Sequence, residues 1–281
     1  MNYELPSTEP LDPASHAIYC QLVGILQLSG LLSRLDLTFS SRLLLRFTAG
    51  PLEQHLDGCK YALGYLKKYP SYILPVSPTA IPPDPSSPVK VDDSLVQIDL
   101  FKTIYPDEKE IIDHDHNPQP VYRNIPLTCY ADSDWASDKS NRRSVTGYII
   151  YLGSTPIEWS SKAQSMVETS TYSSEFIALK NAVEHVKRIR NSLRSFGIHV
   201  SSPIIRCDNK SVVSNTVIAN STLSNRQVGI TYHMVRKCVA ADIIRVSHIR
   251  SDCNRSDLLT KKHNTVKQKA ACNMVFTRKH S

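Results

Sequence analysis

Four acidic residues stand where the chain changes direction, in an arrangement that could hold metal ions. Asp132 ends a short apolar run, Glu175 opens a long amphipathic stretch, and Asp208 ends a second apolar run. Asp257 lies on a late stretch of helical character. If the two apolar runs are parallel neighbouring strands, Asp132 and Asp208 lie at one edge of a sheet. Helices that carry Glu175 and Asp257 can bring both acids to that edge.

Four carboxylates so close together cannot all ionise without compensation, so either their pKa values rise or cations bind. Ligand sets made only of oxygen select hard ions, Mg²⁺ or Mn²⁺, over zinc. Two such ions about 4 Å apart would activate water and stabilise the leaving oxygen in phosphodiester cleavage. Each acid alone has a structural alternative, as a cap of a turn or a helix. The joint placement of all four favours a metal centre.

The elements that would position these acids follow one another from Leu127 onward. Their order is βββαβααβα, which favours an α/β fold with a mixed five-stranded sheet flanked by helices. Gly197 is a typical left-handed cap for the long helix. The strands are predicted at 127–132, 146–152, 156–159, 203–207 and 243–249, and the helices at 174–196, 210–219, about 229–241 and near 255–262.

The rest of the chain has a different character. Apolar residues recur at helical spacing from Ser15 to Tyr69, which predicts two or three structural helices within residues 1–72. Its most apolar part, Ile18–Leu32, is judged too short and too polar to span a bilayer. Residues 73–123 form a proline-rich linker with ambiguous strands, residues 124–263 the sheet domain, and residues 264–281 a basic, frayed tail.

Composition limits the class of protein. The 281 residues are 41% hydrophobic, which allows a buried core and argues against global disorder. A net charge of +7 favours a polyanionic partner such as nucleic acid. Seven scattered cysteines without a C-x-x-C pair indicate reduced thiols in an intracellular compartment. We expect no membrane partner.

Six motifs in one order carry a resemblance to a known family. Together they resemble the ribonuclease H domain of copia/Ty-type LTR retrotransposon Pol polyproteins. The motifs are Tyr130-Ala131-Asp132-Ser133-Asp134-Trp135-Ala136, Asn141-Arg142-Arg143-Ser144-Val145-Thr146-Gly147-Tyr148, Trp159-Ser160-Ser161-Lys162-Ala163-Gln164, Ser174-Glu175-Phe176-Ile177-Ala178-Leu179, Cys207-Asp208-Asn209-Lys210-Ser211 and Asp257-Leu258-Leu259-Thr260-Lys261.

The resemblance implies a ribonuclease H-like fold and hydrolysis of the RNA strand of RNA–DNA hybrids during reverse transcription. It assigns Asp132, Glu175, Asp208 and Asp257 as catalytic residues and as ligands of two Mg²⁺ ions, for which Mn²⁺ can substitute. The helical stretch Tyr19–Lys67 more loosely resembles the end of the family's reverse transcriptase, a remnant of its thumb or connection. The implied location is the cytoplasm, in a virus-like particle, with access to the nucleus.

The polymerase motif, two adjacent aspartates after Tyr and one further residue, occurs nowhere in the chain. We therefore expect no DNA synthesis here, and the polymerase part of a Pol polyprotein becomes an expected partner. An RNA–DNA hybrid is close to A-form and would be bound through phosphates and 2′-hydroxyls. The expected contacts are Asn141, Arg142, Arg143, Lys162, Ser174, Asn209, Ser211 and Arg226. The alternative is a catalytically dead relic that binds nucleic acid or serves as a structural connection module.

Overall fold

The computed structural model describes residues 9–79, 98–112, 118–119, 124–137, 141–223 and 228–278. The chain divides into two compact units, Met1–Leu74 with Lys262–Ser281, and Pro75–Lys261. The helices are α1 (Pro13–Leu32), α2 (Thr38–Leu45), α3 (Glu53–Lys68), α4 (Ile98–Ile104), α5 (Thr171–Ser195), α6 (Lys210–Val217), α7 (Gly229–Ala240) and α8 (Thr265–Val275). The strands are β1 (Tyr72–Ile73), β2 (Leu127–Asp134), β3 (Val145–Leu152), β4 (Thr155–Ala163), β5 (Ile204–Cys207), β6 (Arg245–His248) and β7 (Thr277–Arg278).

Three helices form the core of the first unit, as the spacing of its apolar residues predicts. Helix α1 begins directly after Asp12, whose side chain accepts hydrogen bonds from backbone N–H groups of the first turn. Pro13 takes the first helical position, where a missing N–H costs nothing. The buried faces of α1 and α3 pack together with Leu37, which directly precedes α2, in one apolar cluster of Tyr19, Val23, Leu26, Leu37, Leu56, Cys59 and Ala62.

Helix α1 is longer and more apolar than the sequence analysis allowed. It has 20 residues and a mean hydropathy of 1.3 in its most apolar window, enough by length and composition to cross a membrane. In the structure 22% of that window is buried, and Ile25, Leu28 and Leu32 are exposed. The prediction that this stretch is too short and too polar is therefore wrong on those two measures.

The C-terminal segment is folded, rather than frayed, as far as Arg278. Asn264 caps α8 by accepting a hydrogen bond from the backbone N–H of Lys267 at 2.9 Å. Ala271, Cys272 and Val275 of α8 are buried, and β7 pairs antiparallel with β1 in the same unit. The prediction that the basic segment 264–281 is frayed is thus wrong for its described part, residues 264–278. The boundary between the units falls between Lys261 and Lys262.

The second unit contains the predicted mixed five-stranded sheet, in the order β4-β3-β2-β5-β6. Strands β3 and β4, and β2 and β3, pair antiparallel, whereas β2 with β5 and β5 with β6 pair parallel. Strands β2 and β3 are buried along nearly their whole length, which explains their continuous apolar runs. The predicted α/β fold class is confirmed.

Helix α5 packs against the sheet and carries Glu175 near its N-terminus. Its apolar stripe, which includes Phe176, Leu179, Val183 and Val186, is fully buried in the main core. The helix ends before Gly197, which has φ of 71° and so forms the left-handed cap predicted for it.

Two other local predictions are corrected. The described part of the ambiguous strand region, Ile98–Ile104, is helix α4, and Phe101 on it is fully buried. The last helix, predicted near 255–262, is a pair of short 3-10 helices, Ser251–Cys253 and Arg255–Leu259. Their tight turns let the chain stay close to the sheet over a short distance.

Candidate functional site

Asp132 and Asp208 lie side by side because their strands are parallel neighbours. Ala131 of β2 is paired with Cys207 of β5, so the residue that follows each of them is one of the two acids. Asp132 is only 1% exposed, whereas Asp208 is partly exposed. The predicted parallel pairing of these two strands is therefore confirmed.

Glu175 reaches the same edge from the beginning of α5. Ser170 caps this helix by accepting a hydrogen bond from the backbone N–H of Ser173 at 3.1 Å. The hydroxyls of Ser174 and Ser133, 2.9 Å apart, join the first turn of the helix to β2. The helix start is thereby fixed against the strand that carries Asp132.

Asp257 is held at the edge by the 3-10 helix that follows Asn254. The Asn254 side-chain amide donates a hydrogen bond to the backbone carbonyl of Ala131 at 3.2 Å. At the other end of the segment, the hydroxyl of Thr260 donates to Oδ2 of Asp132. These two bonds connect the segment that carries Asp257 to β2.

Gly147 leaves the space that this segment occupies. It lies opposite Asp132 in the pairing of β2 with β3. A Cβ atom at this position would lie 2.6 Å from Cγ2 of Thr260 and 2.9 Å from Cβ of Leu259. The absence of a side chain is therefore required for the close approach of the 3-10 helix to the sheet.

The acids form two overlapping groups whose candidate ligand atoms lie within 4.8 Å of one another. One group is Asp132, Asp208 and Asp257; the other is Glu175, Cys207 and Asp208. Asp208 belongs to both. The first group offers only carboxylate oxygens, the donors that Mg²⁺ and Mn²⁺ prefer, so its chemistry fits the ions expected from the sequence.

The electrostatics of this cluster favour protons or cations. Burial is the largest cause that raises the pKa of Asp132 well above its usual range, and the charge of Glu175 raises it further. Burial, and then the charge of Asp208, raise the pKa of Glu175 to about 8. The acids therefore hold their full charge only when positive charge is nearby.

One positive group of the chain does lie among the acids. The ammonium of Lys261 lies 3.5 Å from Oδ2 of Asp132 and 3.1 Å from Oδ1 of Asp257. Burial opposes its charge, but the carboxylates of Asp132 and Asp257 outweigh that effect and raise the pKa of Lys261 above its usual value.

The basic residues predicted to contact substrate lie at the same sheet edge. Val145, at the start of β3, pairs with Asp134 at the end of β2 and with Ala163 at the end of β4. Exposed side chains flank this edge on both neighbouring segments: Asn141, Arg142, Arg143 and Lys162. They are therefore accessible to solvent at the end of the sheet that carries the acids.

Other predicted contacts are placed differently. Ser174 is fully buried, and its hydroxyl bonds Ser133 and the carbonyl of Thr171, so its assignment to substrate is wrong. The side-chain oxygen of Asn209 caps α6 by accepting from the N–H groups of Ser211 and Val212. Ser211 is exposed at that helix start. Arg226 lies outside the described residues.

Arg236 is a basic residue whose side chain is not accessible to a polyanion. It is 2% exposed, and its guanidinium donates to the backbone carbonyls of Asn215 and Ile218 at 2.7 and 2.8 Å. It therefore closes the turn after α6 rather than facing solvent.

The sequence analysis did not assign three residues of the site to the surroundings of the acids: Gly147, Thr260 and Lys261. All three stand inside the motifs that carry the family resemblance, which is the signal that could have found them. Thr260 and Lys261 come three and four residues after Asp257, but the sequence does not reveal that they contact Asp132.

No family model matches the chain. It is 36% identical over 140 residues to the retrovirus-related Pol polyprotein from transposon RE1 of Arabidopsis thaliana, a match of 49% of this chain and 9% of that protein. It is 30% identical over 135 residues to the corresponding polyprotein from transposon TNT 1-94 of Nicotiana tabacum, which covers 48% of this chain and 10% of that protein. The chain thus spans about a tenth of these relatives. Its homologues are Pol polyproteins of retrotransposons, as the six motifs predicted.

Among solved structures, the chain is similar to LC11-RNase H1 in complex with an RNA/DNA hybrid. The TM-score is 0.39 and the sequence identity 16%, with 48% of this chain and 93% of that chain covered.

Proposed function

We propose that the unit Pro75–Lys261 is a ribonuclease H-type endonuclease of a retrotransposon Pol polyprotein. It hydrolyses the RNA strand of RNA–DNA hybrids during reverse transcription, in the cytoplasm within a virus-like particle that has access to the nucleus. The proposed partners are the hybrid itself and the polymerase part of a Pol polyprotein, because no Tyr-x-Asp-Asp sequence occurs in this chain, whose adjacent Asp92 and Asp93 follow Lys90 and Val91.

One observation carries the proposal. Acids from four distant parts of the chain converge on one sheet edge, and their ligand atoms form two groups that share Asp208. Burial and mutual repulsion raise the pKa of Asp132 and Glu175, so ionised acids in this cluster lower the stability of the folded protein. Acids that are kept together in this way are typical of a functional site. The homology to Pol polyproteins supports the same conclusion.

The residues fit two divalent cations, Mg²⁺ with Mn²⁺ as a substitute. Asp208 and Asp132 would serve as central ligands, Glu175 would hold the ion on the side of the leaving group, and Asp257 the ion on the side of the attacking water. When bound, such a pair supplies an activated water and stabilises charge at the leaving oxygen of a phosphodiester.

The other residues of the chain position these ligands. Thr260 orients the carboxylate of Asp132 by donating a hydrogen bond to it. Asn254 holds the segment of Asp257 against β2. Arg142, Arg143 and Lys162 bind phosphates of a duplex laid across the edge, which orients the scissile bond over the acids.

The test uses the full chain with labelled RNA–DNA hybrid, duplex DNA and duplex RNA, each with Mg²⁺ and with chelator. We expect cleavage of the hybrid alone, only with metal, and loss of at least a thousandfold in rate for Asp132→Asn. The control, Asp252→Asn, removes an exposed acid paired with Arg250 and should cleave normally. Hybrid binding in chelator without any cleavage in Mg²⁺ or Mn²⁺ would instead identify a catalytically dead binding module.

A further inference from the structure

Lys261 differs from an ordinary surface lysine in what surrounds its ammonium. Its side chain is 35% exposed, whereas the two carboxylates that it contacts, Asp132 and Asp257, are 1% and 16% exposed. Desolvated carboxylates interact with a cation far more strongly than carboxylates in water do. The ammonium therefore balances charge that solvent cannot reach well.

The backbone fixes this position. Lys261 follows Asp257 by four residues, and its N–H donates to the carbonyl of Asp257 at 3.4 Å. The preceding residue, Thr260, is completely buried and bonds Asp132. The lysine stem thus starts from an anchored point beside the acids.

We propose that Lys261 is a built-in counter-ion that occupies one of the two cation positions, the one between Asp132 and Asp257. A divalent ion can enter that position only by displacing the ammonium. The other group, which contains Glu175 and Asp208, has no ion pair with a lysine or arginine among the described residues. The inference rests on the proposed function, since it concerns the loading of the same site.

The consequence is an ordered loading of the two ions. The first ion binds beside Glu175 and Asp208, with which Lys261 forms no ion pair. The second ion binds more weakly, because it competes with Lys261 for Asp132 and Asp257. Lys261 thereby sets the metal concentration at which both cation positions are occupied.

The test is a titration of the metal-free full chain with Mn²⁺ in the absence of nucleic acid. Binding is measured by calorimetry and by the electron paramagnetic resonance signal of free Mn²⁺. Wild type should show a tight and a weak site. In Lys261→Met the weak site should tighten at least tenfold, which is about 1.4 kcal/mol. A merely structural lysine would do the opposite, because its loss would loosen the site.

Two further variants serve as controls. Lys262→Met removes the same charge one residue later, from an exposed side chain, and should change neither affinity more than twofold. Lys261→Arg keeps a cation in place and should leave the second site weak. In chelator, Lys261→Met should melt at a lower temperature than wild type, and saturating Mn²⁺ should stabilise it more than it stabilises wild type.

The outcomes separate this inference from the proposed function. If wild type cleaves hybrid but Lys261→Met binds Mn²⁺ no more tightly, the counter-ion role is overturned and the nuclease stands. If Lys261→Met binds Mn²⁺ more tightly at the weak site, but neither wild type nor any variant cleaves hybrid, the counter-ion role stands and the nuclease is overturned. If wild type binds no Mn²⁺, both are overturned.

Discussion

The side chain of Asn254 donates a hydrogen bond to the backbone carbonyl of Ala131, one residue before Asp132. Its oxygen at the same time accepts from the N–H of Ser256 and caps the 3-10 helix that carries Asp257. One buried amide therefore links two acids of the site that lie far apart in the chain.

We expect Asn254→Ala to weaken Mn²⁺ binding at least tenfold and to lower the free energy of unfolding by about 1–3 kcal/mol. The reason is that the carbonyl of Ala131 is left buried without this donor and the 3-10 helix loses its cap. Calorimetry with Mn²⁺ and urea unfolding measure the two effects.

Asn264→Ala is the matched control, because it also removes an asparagine cap, at α8 in the other unit. It should cost a similar stability in that unit and leave the affinity for Mn²⁺ unchanged. Equal losses of metal affinity in the two variants would show that Asn254 has no specific role in the site.

Gly147→Ala should destabilise the protein by about 1–3 kcal/mol and abolish metal binding. The added Cβ would lie 2.6 Å from Thr260 and 2.9 Å from Leu259, so the segment with Asp257 and Lys261 must move away from the sheet. Thermal unfolding and Mn²⁺ titration of the purified variant test this prediction.

Gly64→Ala provides the comparison. Gly64 lies in α3, where an added Cβ would meet nothing within 4 Å, so this variant should be neutral or more stable by up to about 1 kcal/mol. If Gly147→Ala also binds Mn²⁺ as wild type does, the close packing of the 3-10 helix is not needed for the site.

The pKa values of the acids predict how stability depends on pH in chelator. Burial and Asp208 raise the pKa of Glu175 from 4.5 to about 8, so in this range the folded protein binds more protons than the unfolded chain. Its stability should then fall as pH rises from about 4.5 to about 8, by about 1.4 kcal/mol for each pH unit between these two pKa values. The contribution is fully present below the unfolded pKa and is lost as pH passes the folded pKa.

Urea unfolding at several pH values measures this slope. Glu175→Gln should flatten it, because the amide does not titrate, and saturating Mg²⁺ should reverse it, because bound cations favour the charged carboxylates. A stability that rises over the same pH range in chelator would contradict the assignment of a raised pKa to Glu175.

The double variant Arg143→Met, Lys162→Met should weaken hybrid binding and make it less sensitive to salt. Each lost phosphate contact should reduce the slope of log affinity against log salt by about 1. The measurement is fluorescence anisotropy of labelled hybrid at several salt concentrations, with chelator present to prevent cleavage.

Lys267→Met, Lys269→Met removes the same total charge from exposed side chains of α8 and should leave the slope nearly unchanged. Equal reductions in the two double variants would indicate that net charge, rather than the sheet edge, determines the affinity for hybrid.

The sequence by itself determined the strands of the five-stranded sheet, the long helix α5 and the position of two acids. Continuous apolar runs identified β2 and β5, and the acids at their ends follow directly from chain order once those strands are parallel neighbours. The stripe of apolar residues on α5 likewise identified the helix that carries Glu175. These features are local, because they depend on the period of the chain within each element.

Only the tertiary structure determined which partners the polar side chains contact and whether they are buried. Lys261 and Arg236 are both basic residues, yet one lies between two carboxylates and the other closes a buried turn. Ser174 was expected to face substrate but is buried against β2. Their roles depend on partners from other elements of the chain. The periodicity of the sequence does not indicate which of these partners packs against a polar side chain. The burial of a charge is decided by the surface packed against it, and that surface exists only in the folded chain.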